Sequence, residues 1–321
     1  MFWHTANYYE NLVARAFSAP NSKEHQIIVR KFRQWIGLEK TLCSQKSCKK
    51  FTHGILRAAR RIAESLPPAR LGEFSIGFGD LKLECYTSDT NTSSVYLFGA
   101  SDNLRFFEIY NKHIRSASVA IDVGANVGIH SLAMSHCVGR EGTVFSFEPS
   151  TKIYQRARKN ISINAKTNIH LSSTALGSAV GTVGFLDTSD QVNIGESKIQ
   201  ENATTKVELD TMDNALANNN NISLIKIDVE GFEKDVIRGA QNVLQANRPA
   251  LVIELNQERY SLKEIVDSIP YRCDIYKIPY TFLEQLEQVV VSSRVLANTS
   301  VEKNSGRAFD ALILPAQASA N

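Results

Sequence analysis

Apolar and polar positions along the chain fall into short strand-like runs, each passing through a glycine or an acid into a helical stretch. Val119, Ile121 and Val123 alternate with small or acidic residues and read as a buried strand. Gly124-Ala-Asn-Val-Gly128 makes a turn, and Ser131 to Met134 begins a helix. Gly142 to Phe147 is a second apolar run, closed by Glu148-Pro149. A helix over 151–164 follows it, since proline opens a helix but cannot continue a ladder. Ile169 to Leu171 is a third strand, with Ala175-Leu-Gly177 just beyond it. Ile222 to Ile227 is the fourth, ending in Asp228-Val-Glu230-Gly231, and Phe232 to Gly239 begins another helix. Strands alternating with helices in this way predict an α/β fold with a parallel sheet.

Flanking segments complete the outline. Ala250 to Leu255 is the fifth strand, and 275–278, 289–291 and 309–314 supply later ones. Thr182 to Leu186 and Lys206 to Leu209 are smaller strands around a polar loop over 187–205. Asp210-Thr-Met-Asp213 resembles a helix-capping box with Asp210 as the cap. Before the first parallel strand, Ser101 to His113 reads as a helix. Runs at 74–78, 81–86 and 95–98 read as a short antiparallel lead-in. Pro67-Pro68 divides the chain into a helical segment, 1–68, and a larger α/β domain, 69–321. The segment's helices are expected over 7–18, 22–36 and 51–66.

The chemistry gathers at the strand ends. In a doubly wound sheet, ligands lie at the carboxyl ends of the strands, and a glycine turn into a helix lets backbone N–H groups approach them. Asp122, two residues before the first glycine, would repel a pyrophosphate but attract a cationic aminoacyl group. That favours S-adenosylmethionine, with its sulfonium and ammonium, over NAD. Glu148 ends the second strand, where an acid bonds the ribose hydroxyls of an adenosine cofactor. Candidate cofactor residues are therefore Asp122, Gly124, Ala125, Asn126, Gly128, Glu148 and Pro149, with Ala175 and Leu176 beside the adenine and Asp228 toward the cofactor amine. Candidate catalytic residues, as groups able to take a proton, are Glu230, Glu254 and His130, with Asn256 as a hydrogen-bonding contact. A helix-start acid is the plain alternative for Glu230 and a packing role that for His130. An Asp/Glu pair among these could also hold a divalent ion, but no further ligand set is legible; Cys43, Cys48 and His53 do not complete a zinc site.

IDVGANVGIHSLAMS, FSFEPS, LIKIDVEGFEKDVIRGA and RPALVIELN together resemble the FkbM-type methyltransferases, over about residues 97–256. The resemblance implies a Rossmann-like class I methyltransferase domain with a seven-stranded, mostly parallel sheet. It also implies S-adenosylmethionine as cofactor and O-methylation of a hydroxyl on a sugar, glycolipid or related natural product.

Composition narrows the alternatives. Residues 1–70 hold 13 Lys or Arg against 4 Asp or Glu, whereas the remainder is net acidic. A basic helical segment suits contact with an anionic surface, including peripheral contact with a membrane, or serves as a solvated cap. No apolar run is long enough for a membrane-spanning helix. The five scattered cysteines fit a reduced compartment, so a cytoplasmic location is expected. An NAD oxidoreductase would want a third glycine in the turn and no acid before it. An RNA methyltransferase would exploit the basic segment, but a basic-aromatic RNA surface is not legible. A non-catalytic relative in glycan assembly would be expected to lose the glycines and acids that this chain keeps.

Overall fold

Val119–Val123 forms strand β3 because its five residues are almost wholly buried and three of them are β-branched. In the computed structural model the described residues are 69–87, 103–189, 197–200, 202–255, 260–278, 290–292 and 309–316, with positions 15, 19, 22, 23, 25–27, 30, 89, 92, 95 and 96. They divide into two compact units. One comprises 1–106 with 190–194 and 281–284; the other holds the rest.

In the first unit, β1 (Arg70–Ser75) pairs antiparallel with β2 (Lys82–Tyr86). The strand expected at 95–98 is absent: Thr92, Val95 and Tyr96 are helical. The Asp89 carboxylate accepts a hydrogen bond from the Thr92 N–H, a cap three residues ahead that starts a helical turn and overrides the β-favouring run after it. Described positions 15, 23, 25–27 and 30 are helical, in line with the helices expected over 7–18 and 22–36. The helix expected over 51–66, with Cys43, Cys48 and His53, lies outside the described residues, as does Asn256.

The second unit is built on a sheet of eight strands in the order β13-β12-β14-β11-β10-β3-β4-β5. After α1 (Leu104–His113) and β3 come α2 (Ile129–Val138), β4 (Thr143–Phe147), α3 (Thr151–Ile163) and β5 (Ile169–Ser172). β10 (Ile222–Ile227) lies on the other side of β3, so the strand order reverses between them. β11 (Ala250–Leu255) continues parallel to β10. β14 (Phe309–Pro315) runs antiparallel between β11 and β12 (Cys273–Lys277), and β13 (Val290–Ser292), at the run expected over 289–291, is an eighth, edge strand beyond the seven that the family resemblance implies. A smaller sheet joins β6 (Ala175–Leu176), β9 (Lys206–Asp210), β7 (Gly181–Leu186) and β8 (Lys198–Ile199).

Helices α4 (Met212–Ala215), α5 (Glu233–Arg238), α6 (Gln241–Asn247) and α7 (Leu262–Asp267) complete the unit. Their apolar residues meet β10, β11, β12 and β14 in one core that includes Ile225, Val236, Leu244, Ile253, Ile265 and Ile313. The cap of α4 is Thr211 rather than Asp210: its hydroxyl accepts from Asn214 N, while Asp210 accepts from Thr211 N. Asp213 instead caps α6, accepting from Asn242 N and Val243 N. Among the described residues no helix is long and apolar enough to cross a membrane.

Candidate active site

The turn after β3 is fixed by backbone geometry. Gly124 has φ +79, and a Cβ there would lie 1.8 Å from the Asp228 carbonyl oxygen, so the first turn is pressed against the loop that leaves β10. An L-residue at this position meets both a left-handed backbone and a steric overlap. The amides of Gly124 and Ala125 both donate to Phe147 O at 3.0 Å, anchoring the turn to the end of β4. Asn126 also has positive φ, and its side-chain oxygen accepts from the Val127 amide at 2.7 Å. Gly128 is left-handed again and leads into α2.

Glu148 lies one residue past β4 and holds this turn from the side. One carboxylate oxygen accepts from Asn126 N and the other from Ser150 N, both at 2.9 Å, so the acid folds over Pro149 and clamps two loops. Burial pushes its carboxyl up to about 7, against the pull of those two amides. Ala175 and Leu176 form β6 and are buried; Leu176 packs with Ile121, Val123 and Phe147 under the same strand ends.

Asp122 sits deeper than a strand-end acid. It is fully buried, accepts a 2.6 Å hydrogen bond from the Ser131 hydroxyl, and keeps its other oxygen without a hydrogen-bond partner, 3.6 Å from Lys226 Nζ. Burial raises its carboxyl, while Lys226 and Ser131 oppose the rise. Lys226 was not singled out from the sequence. It stands in β10, a strand buried at all six positions, and its ammonium lies 3.1 Å from Asp228 and 3.4 Å from Gly124 O. Burial would lower its pKa, but the charges of Asp228 and Asp122 outweigh it and raise it. The signal was legible: a lysine between Ile225 and Ile227 needs a buried partner.

The loop after β10 carries the remaining acids. Glu230 and Gly231 both have positive φ, +55 and +99. Glu233 is buried, and its carboxylate accepts from Gly231 N at 2.8 Å and Val229 N at 3.4 Å, so it shapes the loop from beneath. Asp228, Glu230 and Glu254 bring carboxylate oxygens within 4.8 Å of one another. Lys226 already sets a cation against Asp228, so the cluster compensates its own charge in part. Burial would raise Asp228, but Lys226 and the neighbouring Glu254 hold it below the usual carboxylate range. Glu254 moves the other way, to about 10, first through the Asp228 charge and then through burial. His130 is buried on the first turn of α2 against α1, sharing a 2.8 Å hydrogen bond with the Tyr110 hydroxyl and meeting the Phe107 ring edge-on.

The architecture defines the class: a strand order that reverses between β3 and β10, with a glycine turn and acids at the carboxyl ends beside that point, is the Rossmann-like arrangement of class I methyltransferases. Residues 122–274 match the Methyltransferase FkbM domain. The hexuronic acid methyltransferase AglP of Haloferax volcanii is 28% identical over 127 residues, 39% of this chain and 51% of the relative, so the match spans about half the relative's length. Among solved structures, methyltransferase FkbM from Methylobacillus flagellatus is 14% identical, with 70% of this chain and 54% of that one covered and a TM-score of 0.41. An rRNA methylase from Streptococcus thermophilus is 11% identical over 66% of this chain and 95% of that one, with a TM-score of 0.39.

Proposed function

We propose that the protein transfers a methyl group from S-adenosylmethionine to a hydroxyl of a sugar, glycolipid or related natural product. One observation carries the reading: within an FkbM domain, a turn that leaves no room for a side chain at Gly124 adjoins an Asp228 carboxylate that Lys226 holds ionised and that remains 37% exposed. A cationic adenosine cofactor fits that pairing, because a bare backbone admits it closely and the carboxylate complements its charge. When bound, the cofactor supplies an electrophilic methyl on a sulfonium.

This chain's residues take the remaining tasks. Gly124, Ala125, Asn126 and Gly128 offer the backbone cradle, and Glu148 and Pro149 the ribose side. Ala175 and Leu176 wall the adenine, and Asp228 faces the cofactor amine. Asp122 acts from behind, holding Ser131 and Lys226 rather than the ligand. Alignment of acceptor and donor can contribute on the order of 7–11 kcal/mol to lowering the barrier. Glu230 takes the acceptor proton, a step worth roughly 10²–10⁴ in rate. His130 supports the start of α2 through Tyr110.

A hydroxyl suits this end of the sheet better than a carboxylate acceptor, since Asp228 and Glu230 would repel an anion. The relative's name points to a hexuronic acid; the hydroxyls of such a sugar, or of a neutral one, are the acceptors proposed here. A cytoplasmic place, with residues 1–68 meeting an anionic surface, belongs to the same reading.

The test is incubation of the purified protein with methyl-labelled S-adenosylmethionine and cell extract fractionated into polysaccharide, glycolipid and RNA. Label is expected in a carbohydrate-bearing fraction. Label confined to RNA overturns the acceptor class, and absence of calorimetric binding to the cofactor overturns the reading altogether. Glu230→Gln should lower turnover by about 10² or more with little change in cofactor affinity. Turnover near that of the wild type would reduce Glu230 to a helix-start acid.

A further inference from the structure

Strand register brings more carboxyls to one face of the sheet than one cation can serve. Asp122 on β3 stands opposite Lys226 on β10, and Glu254 on β11 stands opposite Asp310 on β14. Asp228 and Glu254 follow Lys226 and its neighbour Val252 by two residues on adjoining parallel strands, so alternation returns them to the same face. Four carboxyls in or just past four neighbouring strands thus share a face with one lysine. Tyr110, on α1, lies close enough to feel the charges of Asp122, Asp228 and Asp310, and Glu230 reaches the group from the loop.

Two further facts constrain the protons. Lys226 leans toward Asp228, at 3.1 Å, and away from Asp122, at 3.6 Å, which leaves one Asp122 oxygen without a hydrogen bond. One carboxylate oxygen from each of Asp228, Glu230 and Glu254 lies within 4.8 Å of the others, and carboxyls this close do not all ionise together.

We propose that Glu254 is the protonated member of an Asp228–Glu254 pair, donating to an ionised Asp228, and that Lys226 is the positioning residue that decides which member holds the proton. The ammonium beside Asp228 makes the carboxylate form cheaper there, and the neighbouring Asp228, Glu230 and Asp310 make it costlier at Glu254. Glu254 is then no base at neutral pH; it is a neutral donor that steadies the carboxylate meant for the cationic cofactor. Glu254's rise to about 10 agrees with this division.

The inference rests on the methyltransferase reading only for its purpose, and its central test needs no cofactor. Infrared difference spectra of the full-length protein at neutral pH, wild type minus Glu254→Gln, should contain a protonated-carboxyl C=O band that disappears only as the pH approaches 10. Lys226→Gln should add a second such band as Asp228 gains a proton. A difference spectrum showing an ionised Glu254, or a Lys226→Gln spectrum identical to that of the wild type, overturns the proposal.

Calorimetry with S-adenosylmethionine then separates the two claims. Cofactor affinity should be flat around neutrality for the wild type and should rise with pH in Lys226→Gln by about tenfold per pH unit at most, one proton being lost from Asp228. A flat profile in that variant overturns the positioning role even if the protein folds. A wild type that binds no cofactor sinks the methyltransferase reading while leaving the infrared result to judge the proton pair.

Discussion

Two loops leave adjacent parallel strands at the same end of the sheet, and they solve opposite problems. The loop after β3 turns left-handed at Gly124 and Gly128, where a side chain is sterically or conformationally unwelcome. The loop after β10 turns left-handed at Glu230, where glycine would sit comfortably and a carboxylate stands instead. One loop puts its left-handed backbone on glycine apart from Asn126, whose side chain accepts from the next amide. The other accepts backbone strain to hold an acid in place, the kind of outlier from which function is fairly inferred. Lys226 joins them, bonded to Gly124 O on one side and paired with Asp228 on the other.

The largest effect should come from cutting that link. Lys226→Met leaves buried Asp122 and half-buried Asp228 without their cation, and urea unfolding at neutral pH should show a loss of about 3–5 kcal/mol. A loss below that range would mean that the two loops hold each other without the lysine.

Gly124→Ala attacks the contact itself. The left-handed backbone and the overlap with Asp228 O together should cost roughly 3 kcal/mol in thermal unfolding, and calorimetric binding of S-adenosylmethionine should disappear. Wild-type binding in this variant would show that the turn yields easily and is no fixed cradle.

Glu148 sharpens the comparison through pH. Its folded-state pKa, about 7, is raised from 4.5. The stabilisation it contributes is therefore complete below 4.5 and lost as pH rises through about 7. That loss is on the order of 3 kcal/mol, and Glu148→Gln should remove it, flattening the difference between acid and neutral denaturation curves. Unchanged pH dependence in the variant would assign the burial effect to another acid.

The smallest effect is expected at Glu230. Glu230→Gly relieves the left-handed strain, and after the entropy cost of glycine the melting curve should report a gain of no more than about 1 kcal/mol. Methyl release should nevertheless collapse. A variant both less stable and fully active would reverse the contrast between the loops.

Sequence pattern revealed most of this frame because period-two apolar runs and glycine turns are local signals. β3, β4, β10 and β11 lie where alternation placed them, and Asp228, Glu230 and Glu254 converge as strand-end acids should. What escaped was non-local. Nothing in Val119–Val123 says that Asp122 turns inward to Ser131 and Lys226, because that depends on which strand lies alongside. The clamp from Glu148 to Asn126 spans 22 residues and depends on how two loops meet. The helical turn at 92–96 was hidden by a β-favouring run whose cap, Asp89, lies outside it. The cap on α4 was a matter of one residue, Thr211 in place of Asp210.

The place of β14 has a consequence for how the chain reaches this state. The last strand in sequence is inserted between β12 and β11, and it sets Asp310 opposite Glu254. During synthesis β11 must therefore wait with an unpaired edge until residues 309–315 have emerged, long after β3, β4 and β10 are available. Such late, sequence-distant pairing is slow and leaves an open strand edge exposed to foreign strands. The acid pair would be completed at the final closure of the sheet, so a nascent chain could carry a formed glycine turn well before it carried a competent site.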